Sequence, residues 1–488
     1  MGPADWANIR ASRPFPRSPP NEMTAPSGWP DGRCYSPVPS ALDPAAIAPH
    51  AIDYLDFAPV QQPTVSIVVC AHNQLSLTVA CLQALQTTQR WNVTTSEVVL
   101  VDDASTDATT ELRRARGLRY LRLDPNRGFL RAANAGLAIA RGEHILFLNN
   151  DTLPQGTWLD ELVDTFARRP RAGVVGARLV YPDGRVQEAG GIVFNDGHGW
   201  NYGRLGAFDD PRITFERPVD YCSGAALLVR GELIRSLGGF DERFAPAYYE
   251  DTDLCFAARA HGFEVWYQPD AIVVHVEGAS HGTDEGSGLK LHQVRNRETF
   301  QRKWAEALAP QYPPLARSVP LARRRASAGH VVVVDSEVPT PDRDAGSRRL
   351  IAVLEAMVVL GYGVTYVPFN GWRRLPYTRH LERLGVEVLG YSSESWTLIQ
   401  QHAERVTHAW VARPHVAEAL LPRLRAELPQ VRLLYDTVDL HFLREDREAA
   451  LTGDPTIATR AAETRRLELA IASTVDAVVV VSPYEQAV

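Results

Sequence analysis

Apolar and polar positions change their rhythm several times along this chain. Residues 1–60 show neither helical nor alternating spacing and are dense in proline, with Pro14, Pro16, Pro19 and Pro20 close together. Proline fixes φ and removes a backbone donor, so such a stretch propagates neither a helix nor a central strand. It reads as an irregular arm whose aromatic stretch 54–57 can dock on the domain that follows. From Thr64 short β-branched runs take over. Residues 65–70, 97–102, 119–123 and 144–148 read as strands, and 75–88, 106–114 and 129–140 carry helical spacing. Strands alternating with short helices predict parallel βαβ units and a sheet covered on both faces.

Beyond Pro154 the alternation loosens. Residues 173–180, 219–230 and 264–276 read as strands joined by long loops, and 289–307 as an amphipathic helix closing the unit. Residues 310–328 contain Pro310, Pro313, Pro314, Pro320 and the run Arg323, Arg324 and Arg325, and read as a linker. A second α/β rhythm follows, with strands at 330–335, 364–368, 408–411, 432–436 and 477–481 and a helix at 345–360. The predicted organisation is an arm over 1–62, an α/β domain over 63–309, a linker over 310–328 and a second, Rossmann-like α/β lobe over 329–488.

Composition then narrows the class. Hydrophobic content of 45% and charged content of 22% are ordinary for a globular protein. A net charge of −7 argues against nucleic acid as partner, because phosphate-binding surfaces carry a basic excess. The cysteines, Cys34, Cys70, Cys81, Cys222 and Cys255, form no CxxC pair and no zinc-site spacing, which fits reduced thiols in a cytoplasmic compartment. No run approaches the ~18 apolar residues of a membrane span, and the N-terminus lacks the apolar core of a signal peptide. The basic stretch 317–325 can attract acidic lipids at the inner face of a membrane, although a solvated linker is the weightier reading.

Four polar clusters sit where chemistry is expected, each with a plainer explanation beside it. Asp102 and Asp103 end a predicted parallel strand, where ligands of open α/β sheets bind; helix capping by Asp103 or Ser105 is the plainer reading. Asn149, Asn150 and Asp151 follow the strand at 144–148, where an aspartate can hold a hard divalent cation that bridges a diphosphate; taken alone, a polar turn is the weightier reading. Glu250, Asp251 and Asp253 open a helix, where acids suit the macrodipole, but a carboxylate there can also take a proton from an attacking hydroxyl. His275 ends a strand and can complete a metal site, or merely cap that strand. The stretch 278–282 also spells G-x-S-x-G around Ser280, yet the glycine-rich residues after it deny the helix that a nucleophile elbow needs.

The order of these clusters is more telling than any one of them. Strand with Asp-Asp, strand with Asn-Asn-Asp, Glu-Asp at a helix start and then His resembles a family-two glycosyltransferase of the GT-A fold, an inverting class. Residues 65–73, with Ala71 and Asn73, resemble that family's first strand and nucleotide loop. Asn126, Gly128, Asn134 and Gly136 resemble its N-x-G…A-x-N-x-G element. Asn149, Asn150 and Asp151 stand where the family has D-x-D. Residues 222–226 and 238–244 resemble its acceptor-side segment, and Glu250 and Asp251 its catalytic pair. The resemblance implies that Asp102 and Asp103 hold base and ribose, that Asp151 ligates Mg²⁺ or Mn²⁺ with His275 as a further ligand, and that Asp251 is the base of a single displacement. Asn149 replaces the first carboxylate of D-x-D, which implies weaker metal binding. Within the family the segments 126–136 and 238–244 look most like rhamnosyltransferases, implying a dTDP- or UDP-linked donor and a polysaccharide or lipid-linked glycan acceptor. Residues 331–347 and 435–441 resemble the first lobe of a family-four, GT-B-type transferase; without the lobe that carries the donor site, this half is expected to be inactive by itself. Two rival readings remain: a non-catalytic nucleotide- or carbohydrate-binding scaffold, and a serine hydrolase acting through Ser280.

Overall fold

The computed structural model describes residues 49–276, 290–323 and 328–487. The arm up to residue 48, Ser280, Arg324 and Arg325 lie outside the described residues. The chain divides into two compact units between Arg325 and Ala326.

The first unit is built on a ten-stranded mixed sheet. Its strands are β1 (Val65–Ala71), β2 (Ser96–Asp103), β3 (Arg119–Leu123), β4 (His144–Asn149), β5 (Thr152–Pro154), β6 (Ala172–Val180), β7 (Val186–Glu188), β10 (Arg217–Pro218), β11 (Ala226–Arg230) and β12 (Glu264–His275), with a separate hairpin of β8 (Gly191–Val193) and β9 (Gly199–Asn201). The order is β10-β12-β6-β11-β4-β1-β2-β3, with β5 beside β12 and β7 beside β6. Strands β3, β2, β1 and β4 run parallel, whereas β11 is antiparallel to both β4 and β6. The β-branched runs form strands because both faces are covered. In β4, Ile145 and Phe147 enter one core cluster while Leu146 and Leu148 enter the other, the two-residue alternation of a pleated strand. This is the mixed α/β sheet that the GT-A resemblance implied.

Several expectations are corrected. Residues 219–230 are not one strand: the chain turns at Ser223 and Gly224, and only Ala226–Arg230 is strand. That turn directs two backbone N–H groups at carboxylates, which an unbroken ladder would have consumed. The helix expected at 106–114 is a 3₁₀ turn, Ala108–Arg114, capped by Asp107. The docking stretch at 54–57 uses Leu55 and Phe57, both fully buried, while Tyr54 is exposed. Residues 310–323 are no free linker. Asn195 N–H donates to the Tyr312 carbonyl at 2.9 Å, and Arg323 is buried with its guanidinium over the Tyr202 ring. The closing helix is Lys290–Lys303 followed by a short turn, Ala305–Leu308.

The second unit holds six parallel strands: β13 (His330–Asp335), β14 (Gly363–Pro368), β15 (Val386–Val388), β16 (Val406–Ala412), β17 (Arg432–Asp436) and β18 (Ala477–Val479). Their order, β15-β14-β13-β16-β17-β18, is that of a doubly wound Rossmann-like sheet. Val331 and Val333 face one core cluster, Val332 and Val334 the other.

Candidate active site

A cavity of about 1340 Å³ opens beyond the carboxyl ends of β1, β2 and β4. Sites for one small ligand usually span about 300–1,000 Å³, so two substrates can lie here side by side. Of the residues singled out in the sequence, Ala71, Asp103, Asn126, Gly128, Asn149, Asn150, Asp151, Glu250, Asp251 and His275 line it.

Three do not. Asn134 spends its amide on Phe240, accepting from that residue's N–H at 2.8 Å and donating to its carbonyl at 2.9 Å. Asp102 has no exposed surface. It accepts from Ser105 N–H at 2.8 Å, Arg122 at 2.5 Å and the Tyr120 hydroxyl. Burial alone would raise its carboxyl, but those bonds outweigh burial and hold it below the usual range. Asn73 accepts from the N–H groups of Thr106 and Asp107. All three shape the loops around the cavity rather than its surface.

Asp103 does reach the cavity. Its oxygens accept from the N–H groups of Arg127 at 2.7 Å and Gly128 at 2.8 Å, which fixes the Asn126–Gly128 turn against the end of β2. Gly128 has φ +80°, and a Cβ there would lie 2.7 Å from Pro246 Cβ, so no other residue fits. Asn126 donates to the Asp103 carbonyl at 3.0 Å, and His72, which also lines the cavity, donates from Nδ1 to the same oxygen at 2.8 Å.

Asp151 and His275 meet across strand ends. His275 Nε2 lies 3.2 Å from Asp151 Oδ1, and its Nδ1 donates to Gln187 Oε1 at 2.9 Å. That second bond puts the proton of a neutral imidazole on Nδ1, leaving a lone pair toward the carboxylate. A proton or a cation between the two satisfies both. Among the described residues no three His, Cys, Asp or Glu side chains gather as a closed metal cage. Two protein ligands suit an ion that takes its remaining oxygens from a diphosphate and water, so this pair fits Mg²⁺ or Mn²⁺.

The far side of the cavity is acidic. Gly224 N–H donates to Asp251 Oδ2 at 2.8 Å, and Thr252 N–H to Oδ1 at 2.6 Å. Burial raises the Asp251 carboxyl against these bonds. Burial, with Asp251 adjacent, pushes Glu250 well above the usual range, and its Oε2 has no hydrogen-bond partner among the described residues. The pair is delivered by Tyr248 and Tyr249, both left-handed at φ 72° and 71°. Non-glycine residues in that region cost about 1–3 kcal/mol each and concentrate at functional sites. Asn296 holds the strained turn by donating to the carbonyls of Phe244, Ala247 and Tyr248 at 2.7–3.0 Å. Asp253 belongs to the frame, paired with Lys303 at 2.7 Å and Trp304 at 2.7 Å.

Two lining residues carried no signal in the sequence. Gln187 orients His275. Glu188 is 1% exposed, and it accepts from Ser223 N–H at 2.9 Å. Both lie on β7, a strand too short to show a pattern; a polar pair just before Gly190 and Gly191 is the only hint.

Residues 66–234 match the family described as glycosyl transferase family 2. A Mycobacterium tuberculosis N-acetylglucosaminyl-diphospho-decaprenol L-rhamnosyltransferase is 32% identical over 219 residues, covering 40% of this chain and 71% of that protein. The O-antigen biosynthesis protein RfbC of Myxococcus xanthus is 34% identical over 248 residues, 49% of this chain. The chain spans only 19% of that protein's length. Among solved structures, GalNAc-T7 with UDP, GalNAc and Mn²⁺ is 15% identical with a TM-score of 0.41, over 51% of this chain and 50% of that one.

Proposed function

The chain belongs to glycosyl transferase family 2, and on that premise we propose that it moves a sugar, with inversion, from a dTDP- or UDP-sugar to a hydroxyl of a polysaccharide or lipid-linked glycan. The observation that carries this reading is one cavity with a diphosphate-suited pair, Asp151 and His275, and a carboxylate, Asp251, on its acidic side. Asp103, Asn126 and Gly128 would receive the nucleoside, with Ala71, Asn149 and Asn150 completing that wall. An Mg²⁺ or Mn²⁺ ion held by Asp151 and His275 would neutralise charge on the departing diphosphate. The acceptor hydroxyl oxygen forms a bond to the anomeric carbon as the bond from that carbon to the diphosphate oxygen breaks. Asp251 takes the hydroxyl proton. Its raised carboxyl makes it a better proton acceptor than an ordinary aspartate, provided that it is ionised when the acceptor arrives.

The rhamnosyltransferase named for the mycobacterial relative supports a deoxysugar donor and a diphospho-lipid acceptor. The parallel sheet of 329–487 supports the reading of that unit as a GT-B-type lobe. Among the described residues no helix is long and apolar enough to cross a membrane, and buried Arg323 leaves less of the basic stretch for lipid contact.

The test is thermal stability with UDP, dTDP and GDP, each with and without Mn²⁺. A ligand at about 100 times its Kd adds about 2.7 kcal/mol to the native state. A Mn²⁺-dependent shift for one nucleotide, lost in Asp151→Ala, is expected. No shift with any nucleotide sinks the transferase reading in favour of a scaffold.

A further inference from the structure

Besides Glu250, a second carboxyl on the cavity has no part in the reaction just described. Glu188 ends β7, is 1% exposed and lines the cavity. Its Oε1 accepts from Ser223 N–H, but its Oε2 is buried and has no hydrogen-bond partner among the described residues. A buried polar atom left unpaired is destabilising and rare in native proteins. On a cavity wall it marks a place where a ligand supplies the missing partner.

The turn that interrupts 219–230 says where that ligand sits. Consecutive N–H groups of one turn hold two carboxyls: Ser223 holds Glu188 and Gly224 holds Asp251. Glu188 is therefore set next to the proposed base. Among the described residues, the titratable groups that face it are Asp251, Tyr221, Cys222 and Cys255. None of these is cationic. Burial, with Asp251 adding to it, pushes the Glu188 carboxyl up to about 8, so at neutral pH it keeps a proton and Oε2 can donate as well as accept. A neutral, two-way hydrogen-bonding partner in a carbohydrate site is a hydroxyl.

We propose that Glu188 recognises a sugar hydroxyl through Oε2, beside the hydroxyl that Asp251 deprotonates. This rests on the transferase reading. The hydroxyl belongs either to the transferred sugar or to the acceptor sugar, and binding measurements separate the two.

The experiment compares wild type, Glu188→Gln and Glu188→Leu by calorimetry with Mn²⁺ and UDP, dTDP, UDP-glucose and dTDP-rhamnose. Turnover is followed with an N-acetylglucosaminyl-diphospho-prenol acceptor. Bare nucleotides should bind all three proteins alike. Glu188→Leu should weaken a nucleotide sugar roughly tenfold if the hydroxyl is the donor's, or raise the acceptor KM roughly tenfold at unchanged donor affinity if it is the acceptor's, the loss of one hydrogen bond. Glu188→Gln, whose amide donates from the same place, should stay close to wild type. Wild-type values in Glu188→Leu for every nucleotide sugar and for the acceptor overturn the proposal. So does a Glu188→Gln variant as impaired as Glu188→Leu at an unchanged melting temperature. Should Glu188→Leu not fold, infrared difference spectra decide. A protonated-carboxyl band that shifts on adding nucleotide sugar or acceptor, absent in Glu188→Gln, is expected, and no shift refutes it. A wild type that binds no nucleotide sugar sinks the transferase reading itself, before any variant is compared.

Discussion

Replacing Glu188 by glutamine should change how stability depends on pH. The usual glutamate value is 4.5, and in the folded protein burial followed by Asp251 lifts this carboxyl to about 8. Between those two values the folded protein holds a proton that the unfolded chain has released. Stability then falls as pH rises, by about 1.4 kcal/mol per unit, and levels off above the folded value. Glutamine carries no such proton. At pH 7 its removal is worth about 3 kcal/mol in the variant's favour, from roughly 2.5 units at that slope. Against this, the new amide hydrogens are left unsatisfied in a buried place, which costs about 1–3 kcal/mol. The absolute stabilities can therefore nearly cancel, and the slope is the quantity to read. Urea unfolding at several values from pH 5.5 to 7.5 should show wild type losing about one proton's worth of stability per unit more steeply than Glu188→Gln. The second unit contributes equally to both proteins and drops out of the difference. Parallel curves would refute the reasoning, because they require Glu188 to be in the same protonation state in the folded and unfolded chains.

Gly136→Ala places a Cβ 2.4 Å from Val68 Cγ1 and 3.0 Å from Val101 Cγ2; overpacking of about 1–3 kcal/mol should outweigh alanine's helical advantage of about 1 kcal/mol, and an unshifted urea midpoint would count against it. Lys303→Met strips the nearly buried Asp253 of its cation, an expected loss of about 3 kcal/mol that a further Asp253→Asn should partly restore; full stability of the single variant would deny that the pair matters. Asp241 is held well below the usual carboxylate range: burial opposes this, but bonds from Arg243 and Lys303 prevail. Its stabilisation is thus present above the unfolded value of 3.8 and disappears as pH falls through the folded one, so Asp241→Asn should flatten the acid limb of the melting curve. Asp251→Asn should keep nucleotide binding, seen as an unchanged Mn²⁺-dependent thermal shift, while turnover falls by at least about 100-fold; retained turnover would remove Asp251 as the base.

The half of the site built on parallel strands was legible in the sequence. Strands covered on both faces must be apolar throughout, so the first polar residue past each run marks a strand end, and strand ends are where such sheets bind ligands. Asp103 and Asn149 to Asp151 were found in this way, and the cavity is lined by them. The same logic overreached at Asp102, and the family resemblance overreached at Asn134. Motif residues that recur in a family include those that build its loops, and sequence cannot separate an amide that touches a ligand from one that touches Phe240. Only the partners of each side chain decide that.

The acidic half was only partly legible, and the reason is physical. Glu250 and Asp251 could be seen because they open a helix, yet helix capping alone would have explained them. What sets them apart is the cost the fold sustains around them: two left-handed tyrosines, an asparagine pinning their turn, and buried oxygens on Glu250 and Glu188 without a hydrogen-bond partner among the described residues. Capping needs none of this. Asp253, the third acid of the cluster, is a control within the same helix, for its oxygens are matched by Lys303 and Trp304. Strain and unpaired carboxyls occur where the chain turns toward the cavity and are absent at Asp253, on the same helix. A structural role predicts satisfied acids throughout, so the contrast between Asp253 and Glu250 favours chemistry at Glu250 on grounds independent of any family resemblance.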